Sequence, residues 1–302
     1  MKGLFNISCG ISSAEILSPE PESPFYRGVR FDRAGLFRRI VHDGHEYSGR
    51  WLEGAEEPCR HDNVTGPVEE FSVIGYDEAS VGEGFLKTGV GWLQRPDSAP
   101  YDFTRTYTLL DPGKWHVQAD SRAVTFRHEF HRETWAYHYS KRVSWQAEGV
   151  LLLEHELVNT GIGTLSGSVY NHHFFTFDDA GTGVGTEVDF PFEPDGVFRA
   201  WPGDSAAGRL TGNGIRISEN LVPGQKICIE HLGSKDHGPL PYRFKVKNAK
   251  ARLGVEVCSD AEACRIQFWG NHKVACVEPF TLFHVLPGQT YKWSVRYLLT
   301  QG

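Results

Sequence analysis

An all-β fold, built as one large antiparallel β-sandwich, follows from three features of the chain. Apolar and polar residues alternate with a period of two, turn residues recur between the alternating runs, and no long amphipathic helix with caps is present. In the stretch 291–297, Tyr291, Trp293, Val295 and Tyr297 share one face and Lys292, Ser294 and Arg296 the other. Leu151, Leu153, His155 and Leu157 alternate with Leu152, Glu154, Glu156 and Val158, and the stretches 137–145 and 104–110 read the same way. Between such runs stand Asp43-Gly44, Asp111-Pro112-Gly113, Asn159-Thr160-Gly161, Asn213-Gly214, Val222-Pro223-Gly224 and Leu286-Pro287-Gly288, each a turn signal. Roughly fifteen to twenty short strands at this spacing stack as antiparallel sheets. Residues 1–24, ending in Pro-Glu-Pro-Glu-Ser-Pro, read as an N-terminal arm or edge segment, and residues 25–302 as a single sandwich domain. The stretch 53–84, rich in Gly, Pro, Asp and Glu, is the main irregular region, and long loops of that kind commonly carry function.

Composition excludes several classes. A net charge of −7 without a basic run argues against nucleic acid as a partner. No stretch reaches the roughly 20 apolar residues of a membrane helix, and the first residues are too polar for a signal-peptide core. The six cysteines are scattered without a CxxC pair, as expected of reduced thiols in the cytoplasm; a Cys258–Cys264 disulfide is the alternative. His42/His45 and His128/His131 are spaced three apart, which on a strand turns partners to opposite faces, so no metal site is expected.

Four segments could carry chemistry. In Val169–Asp178, alternation puts Asn171, His173, Phe175 and Phe177 on one face and His172, Phe174, Thr176 and Asp178 on the other. One of the two adjacent histidines can therefore face a cleft as an acid, since imidazole titrates near neutral pH. A backbone-bonded histidine pair at a strand edge is the plainer alternative. Glu278, bracketed by apolar residues, is a carboxylate whose desolvation would raise its pKa and make it a base; a surface glutamate before Pro279 is the alternative. Arg30 and Asp32 would share a strand face in a segment with three arginines, where a guanidinium fork suits hydroxyl pairs and carboxylates. Glu69, Glu70 and Lys87 would form either a polar rim or a solvated charge patch.

In this order the segments resemble the aldose 1-epimerase (galactose mutarotase-like) superfamily. Arg30 on an early segment, Asn171-His172-His173-Phe174-Phe175 centrally, Glu278 late, then Leu286-Pro287-Gly288 and Tyr291 carry the resemblance, which runs from about Tyr26 onward. It implies the supersandwich fold and proton transfer at a sugar ring, with His172 as general acid, Glu278 as general base and no cofactor. Arg30, Asn171, His173, Glu70 and Lys87 are the candidate substrate-binding residues. The chain departs from the pattern in one place: the second histidine of typical members is missing from Thr88–Trp92, leaving His61 to supply one from the loop.

Three functions compete at this stage: an epimerase of small sugars, a lyase, and a sugar-binding protein without turnover. The lyase would act on uronic acid sugars, with Arg30, Arg33, Tyr170 and His173 neutralising the acid and abstracting its proton. Aromatic residues at 13% suit sugar stacking and suit sheet cores equally. An open sheet edge would be the surface for a homodimer.

Overall fold

The structure, a computed structural model, describes residues 3–52, 55–132, 134–200, 202–233 and 238–302. The alternating stretches become strands because a period of two places every second side chain on the same side of a pleated sheet. Four strands, β1 (Leu4–Cys9), β2 (Ser12–Leu17), β3 (Phe37–His42) and β4 (His45–Ser48), form an antiparallel sheet in that order. The β3–β4 hairpin turns at Asp43-Gly44, both at positive φ (48° and 79°), as a two-residue connection requires. After β5 (Val68–Phe71), the strands β6 (Val73–Ile74), β7 (Gly84–Lys87), β8 (Gly91–Gln94) and β9 (Leu109–Asp111) form a second small sheet.

The remaining strands are β10 (Lys114–Ala119), β11 (Ala123–His131), β12 (Ala136–Ala147), β13 (Val150–Asn159), β14 (Leu165–His172), β15 (Thr186–Asp189), β16 (Val197–Phe198) and β17 (Gly208–Thr211). They continue with β18 (Gly214–Ile217), β19 (Lys226–Leu232), β20 (Leu240–Asn248), β21 (Leu253–Ala263), β22 (Arg265–Asn271), β23 (Ala275–Val285) and β24 (Thr290–Gln301). A ten-stranded sheet runs β10-β11-β12-β13-β24-β21-β20-β15-β18-β17 and a six-stranded sheet runs β16-β19-β22-β23-β14-β5. Every strand pairing within the four sheets is antiparallel. No described residue lies in an α-helix, so no helix is long and apolar enough to cross a membrane. All six cysteines are free, Cys258 and Cys264 included.

The main core lies between the two large sheets. Leu153, Leu157, Val255, Val295 and Tyr297 of the ten-stranded sheet meet Val169, Ile266, Phe268, Val277 and Phe283 of the six-stranded one. The described part of the N-terminal segment is no detached arm: Ile7, Ala14 and Ile16 of β1 and β2 are buried in this same core. Met1 and Lys2, and Glu53 at the start of the irregular stretch, lie outside the described residues.

Two expectations are corrected. Residues 104–110 are not one strand; only Leu109 and Leu110 belong to β9. The Asp102 carboxylate accepts hydrogen bonds from the Thr104 amide (2.8 Å) and hydroxyl (2.7 Å), and this local turn outcompetes extension. Arg30 and Asp32 also do not share a strand, because residues 24–36 form none. That segment instead spreads over the outer face of the six-stranded sheet. Its Tyr26, Phe31 and Leu36 join Trp51, Val64, Val68, Phe174 and Cys276 in a second small core. A third core gathers Val29, Tyr76, Phe85, Val90, Leu93 and Tyr107. Arg30 stands between Val29 of one and Phe31 of the other, where the seam opens onto the sheet.

Candidate active site

The outer face of the six-stranded sheet is written by alternation in β14, β22 and β23. Ile266 and Phe268 point into the main core, so Arg265, Gln267 and Trp269 point outward, each half-buried. Val277 and Phe283 point inward, so Cys276, Glu278 and Phe280 point outward. On β14, Tyr170 and His172 point outward and Val169 and Asn171 inward.

Register then assembles the site. Gln267 stands opposite Glu278, and Tyr170 opposite Phe280. Two residues further along β14, His172 falls opposite Glu278. Its Nδ1 is 3.0 Å from Glu278 Oε1 and its Nε2 is 3.4 Å from Glu70 Oε2, so the imidazole lies between two carboxylates. Neither ring nitrogen makes an aligned hydrogen bond. The ring is held by charge and by packing against Phe31 (5.0 Å, edge-on) and Tyr170 (4.5 Å).

Burial disfavours charge on both members of this pair, but the partners outweigh it. On His172, Glu278 and Glu70 more than offset desolvation and raise the pKa above its ordinary value. For Glu278, desolvation alone would raise the pKa, as the sequence suggested. His172 and the amide donated by Gln267 reverse that, and the carboxyl stays below its usual range. The Cys276 thiol donates to Glu278 Oε1 at 3.4 Å and is itself pushed up by burial and by that carboxylate.

Glu70 anchors the other flank. Arg30 Nε binds it at 2.6 Å, Tyr170 donates its hydroxyl at 2.7 Å, and Lys87 Nζ lies 3.6 Å away. Desolvation opposes its charge, but Arg30 and Lys87 dominate and hold the carboxyl far down. Burial pulls the Lys87 ammonium down to about 8 against the pull of Glu70. Lys87 also donates to the Tyr101 hydroxyl at 2.9 Å. Arg30 is clamped between Phe31 (4.6 Å) and Phe103 (4.1 Å), which closes the roof of the seam.

The structure thus brings together His172, Glu278, Arg30, Glu70 and Lys87. It separates two other candidates. Asn171 and His173 project into the main core, because a strand cannot turn three successive side chains to one face. Asn171 Nδ2 donates to Glu69 Oε1 (3.0 Å) and the Tyr297 hydroxyl (3.3 Å). His173 meets Tyr242 Oη at 2.8 Å and Tyr297 Oη at 3.2 Å and is fully buried, which drops its pKa to about 3. The lyase set is likewise not assembled: Arg33 donates to the Arg27 and Gly28 carbonyls, away from Tyr170. His61 packs against Phe103 at 6.0 Å, at the rim, without reaching His172.

Glu69 and Glu70 are neither rim nor solvated patch. Both are buried on β5 and, being neighbours, face opposite ways. Glu69 enters a polar cluster inside the sandwich, paired with Lys141 and 3.1 Å from His155 Nε2. Lys141 and His155 overcome desolvation and hold Glu69 at about 2. Asp32 accepts from Tyr139 at 2.8 Å; burial, only partly offset by Lys141, pushes it up to about 7. Gly89 closes this cluster: at φ +74° it approaches so near that a Cβ would lie 2.2 Å from Asp32 Oδ1.

Gln267, Cys276, Tyr101, Phe103, Arg265 and Trp269 were missed. The alternation of Arg265–Asn271 was visible in the sequence, and it marks the outward trio of β22. As for metals, the donor atoms of His172, Cys276 and Glu278 lie within 4.8 Å of one another, the one such group among the described residues. Two contacts, His172 to Glu278 and Cys276 to Glu278, already tie the three together.

No protein-family model matches the chain, and no curated protein matches it in sequence. Solved structures do. A galactose mutarotase related enzyme from Lactobacillus acidophilus superposes with TM-score 0.59 at 13% identity, covering 99% of this chain and 97% of that one. A galactose mutarotase-like protein from Lactobacillus casei gives 0.58 at 12% identity, covering 99% and 100%. A putative aldose 1-epimerase from Escherichia coli gives 0.56 at 11% identity, covering 99% of each. The chain has the galactose mutarotase-like β-sandwich fold, at a sequence distance that marks it as divergent from these neighbours.

Proposed function

We propose that this chain is an aldose 1-epimerase-type enzyme that interconverts the anomers of a small sugar by acid–base catalysis. The observation that carries the reading is the buried His172–Glu278 pair, 3.0 Å apart on the outer face of the sheet. Mutarotation needs a base for the anomeric hydroxyl proton and an acid for the ring oxygen. Here two carboxylates raise the pKa of the buried imidazole, and the imidazole and Gln267 lower that of the carboxyl. Each shift favours the protonation state its step requires.

In this mechanism Glu278 takes the proton from the anomeric hydroxyl while His172 protonates the ring oxygen. The C1–O5 bond breaks, the open-chain aldehyde rotates about C1–C2, and closure with the roles reversed gives the other anomer. Gln267 orients Glu278. Phe103 and Arg30 roof the site and limit water. The six free thiols fit a reducing compartment, and we place the protein in the cytoplasm on that basis.

Saturation-transfer NMR on free sugars tests the reading. Anomer exchange above the spontaneous rate is expected for at least one sugar and is expected to vanish in His172→Ala. Exchange that persists at the parent rate in that variant contradicts it.

A further inference from the structure

The two ring nitrogens of His172 stand in different surroundings. Nδ1 lies beside the base, 3.0 Å from Glu278 Oε1, whereas Nε2, on the far edge of the ring, lies 3.4 Å from Glu70 Oε2. In a pyranose the anomeric oxygen and the ring oxygen are bonded to the same carbon. The atoms that serve them must therefore be neighbours, and it is Nδ1, not Nε2, that adjoins Glu278.

The two carboxylates differ in what else holds them. Glu278 accepts from the Gln267 amide and the Cys276 thiol, both neutral. Glu70, opposite Tyr170 on β5, is bound by Arg30 Nε (2.6 Å) and the Tyr170 hydroxyl (2.7 Å), with Lys87 Nζ at 3.6 Å. Arg30 is itself fixed, its guanidinium covered by Phe31 and Phe103. Burial opposes the charge on Glu70, yet Arg30 and Lys87 outweigh it and keep the carboxyl well below its usual range. Glu278 can thus take up a proton during the reaction, while Glu70 stays an acceptor throughout. A neutral imidazole carries one N–H and one lone pair, and what each nitrogen faces decides which keeps the proton. Once Glu278 is protonated, its O–H can face a lone pair on Nδ1. A lone pair on Nε2 would meet the Glu70 carboxylate and be repelled.

The geometry points to Glu70 as the positioning residue of the general acid: it keeps the Nε2 proton in place through the whole cycle, so that Nδ1 delivers the proton to the ring oxygen. The inference rests on the epimerase reading of the His172–Glu278 pair. In the opening step the anomeric hydroxyl proton passes to Glu278, the C1–O5 bond breaks as the carbonyl forms at C1, and the Nδ1 proton bonds to O5. His172 is left neutral with its remaining proton on Nε2, and ring closure returns both transferred protons. Arg30 and Tyr170 act at one remove, by fixing Glu70. The titratable groups around the ring are Glu278 and Cys276 of β23, Glu70 of β5, Tyr170 of β14, Lys87 of β7 and Arg30. Among these Glu278 and Glu70 favour its proton and Arg30 opposes it.

Two measurements on the intact chain test this. In Glu278→Gln, where the amide stands in for the protonated carboxyl, nitrogen-15 NMR at alkaline pH reads the tautomer of neutral His172 without any sugar. The proton is expected on Nε2, and adding Glu70→Gln is expected to remove that preference. In anomer exchange, Glu70→Gln is expected to lower kcat roughly tenfold to a hundredfold, the range of a hydrogen bond to a charged group. KM is expected to change little, the alkaline midpoint to move to lower pH, and Glu70→Asp to restore part of the rate. A proton on Nδ1 in Glu278→Gln overturns the inference, and this reading stands even where Glu70→Gln fails to fold. Parental kcat with an unmoved alkaline midpoint in Glu70→Gln also overturns it. An Nε2 proton that depends on Glu70, in a protein whose parent exchanges no anomers, would support the hold of Glu70 on the ring and bring down the epimerase reading instead.

Discussion

His172 and Glu278 stand opposite each other on neighbouring strands with 3.0 Å between Nδ1 and Oε1, and Gln267 stands opposite Glu278 on the far side. Three strands thus contribute one row of imidazole, carboxylate and amide, perpendicular to the chain direction. Because the row is set by register, its geometry depends on the sheet rather than on a loop.

The protonation states of this row predict the pH profile. Activity needs His172 protonated, and its pKa is raised above 6.5, so the alkaline loss comes above that value. Activity also needs Glu278 ionised, and its pKa is lowered below 4.5, so the acid loss comes below that value. A profile of kcat/KM is therefore expected to have its alkaline midpoint above 6.5 and its acid midpoint below 4.5. An alkaline limb below 6.5 or an acid limb above 4.5 would contradict the assignment.

Gln267→Leu removes the amide that helps hold Glu278 ionised. The acid limb of the profile is expected to move upward, with kcat/KM at neutral pH reduced by about tenfold through loss of one charge-assisted hydrogen bond. An acid limb that stays in place would show that the amide does not tune the base.

Lys141 is fully buried and paired with Glu69, so Lys141→Met leaves a carboxylate uncompensated inside the sandwich. Urea unfolding is expected to show a loss of about 3–5 kcal/mol. Adding Glu69→Gln is expected to recover part of it, since the stranded charge is then gone. A loss under about 1 kcal/mol, the size of a surface ion pair, would count against the burial of this cluster.

His173→Ala removes a core ring and leaves two tyrosine hydroxyls without their partner. Chemical denaturation is expected to show a loss of about 2–4 kcal/mol, with the anomer exchange rate at permissive temperature close to the parent's. A collapse of exchange in a protein that remains folded would place His173 in the site after all.

Much of this was legible in the sequence. Alternation in 151–159 and 291–297 gave β13 and β24, and the same parity separated His172 from His173. What alternation could not supply was long-range register, which decides that Gln267 and Cys276 flank Glu278. Nor could it show that Arg30 sits on irregular backbone, where parity has no meaning. The acidic pair Glu69-Glu70 read as a polar rim or a solvated patch, not as buried, because its compensating cations, Lys141 and Arg30, lie 72 and 40 residues away. Glu278 looked like a base with a raised pKa because the sequence shows its apolar neighbours on β23 and not the imidazole on β14.

The most direct test of the central claim is anomer exchange in Glu278→Gln, His172→Gln and the double variant, measured side by side with the parent. The account predicts that each single variant falls by at least about a hundredfold and that the double falls little further, because acid and base act as one unit. Exchange at the parent rate in either single variant would contradict it.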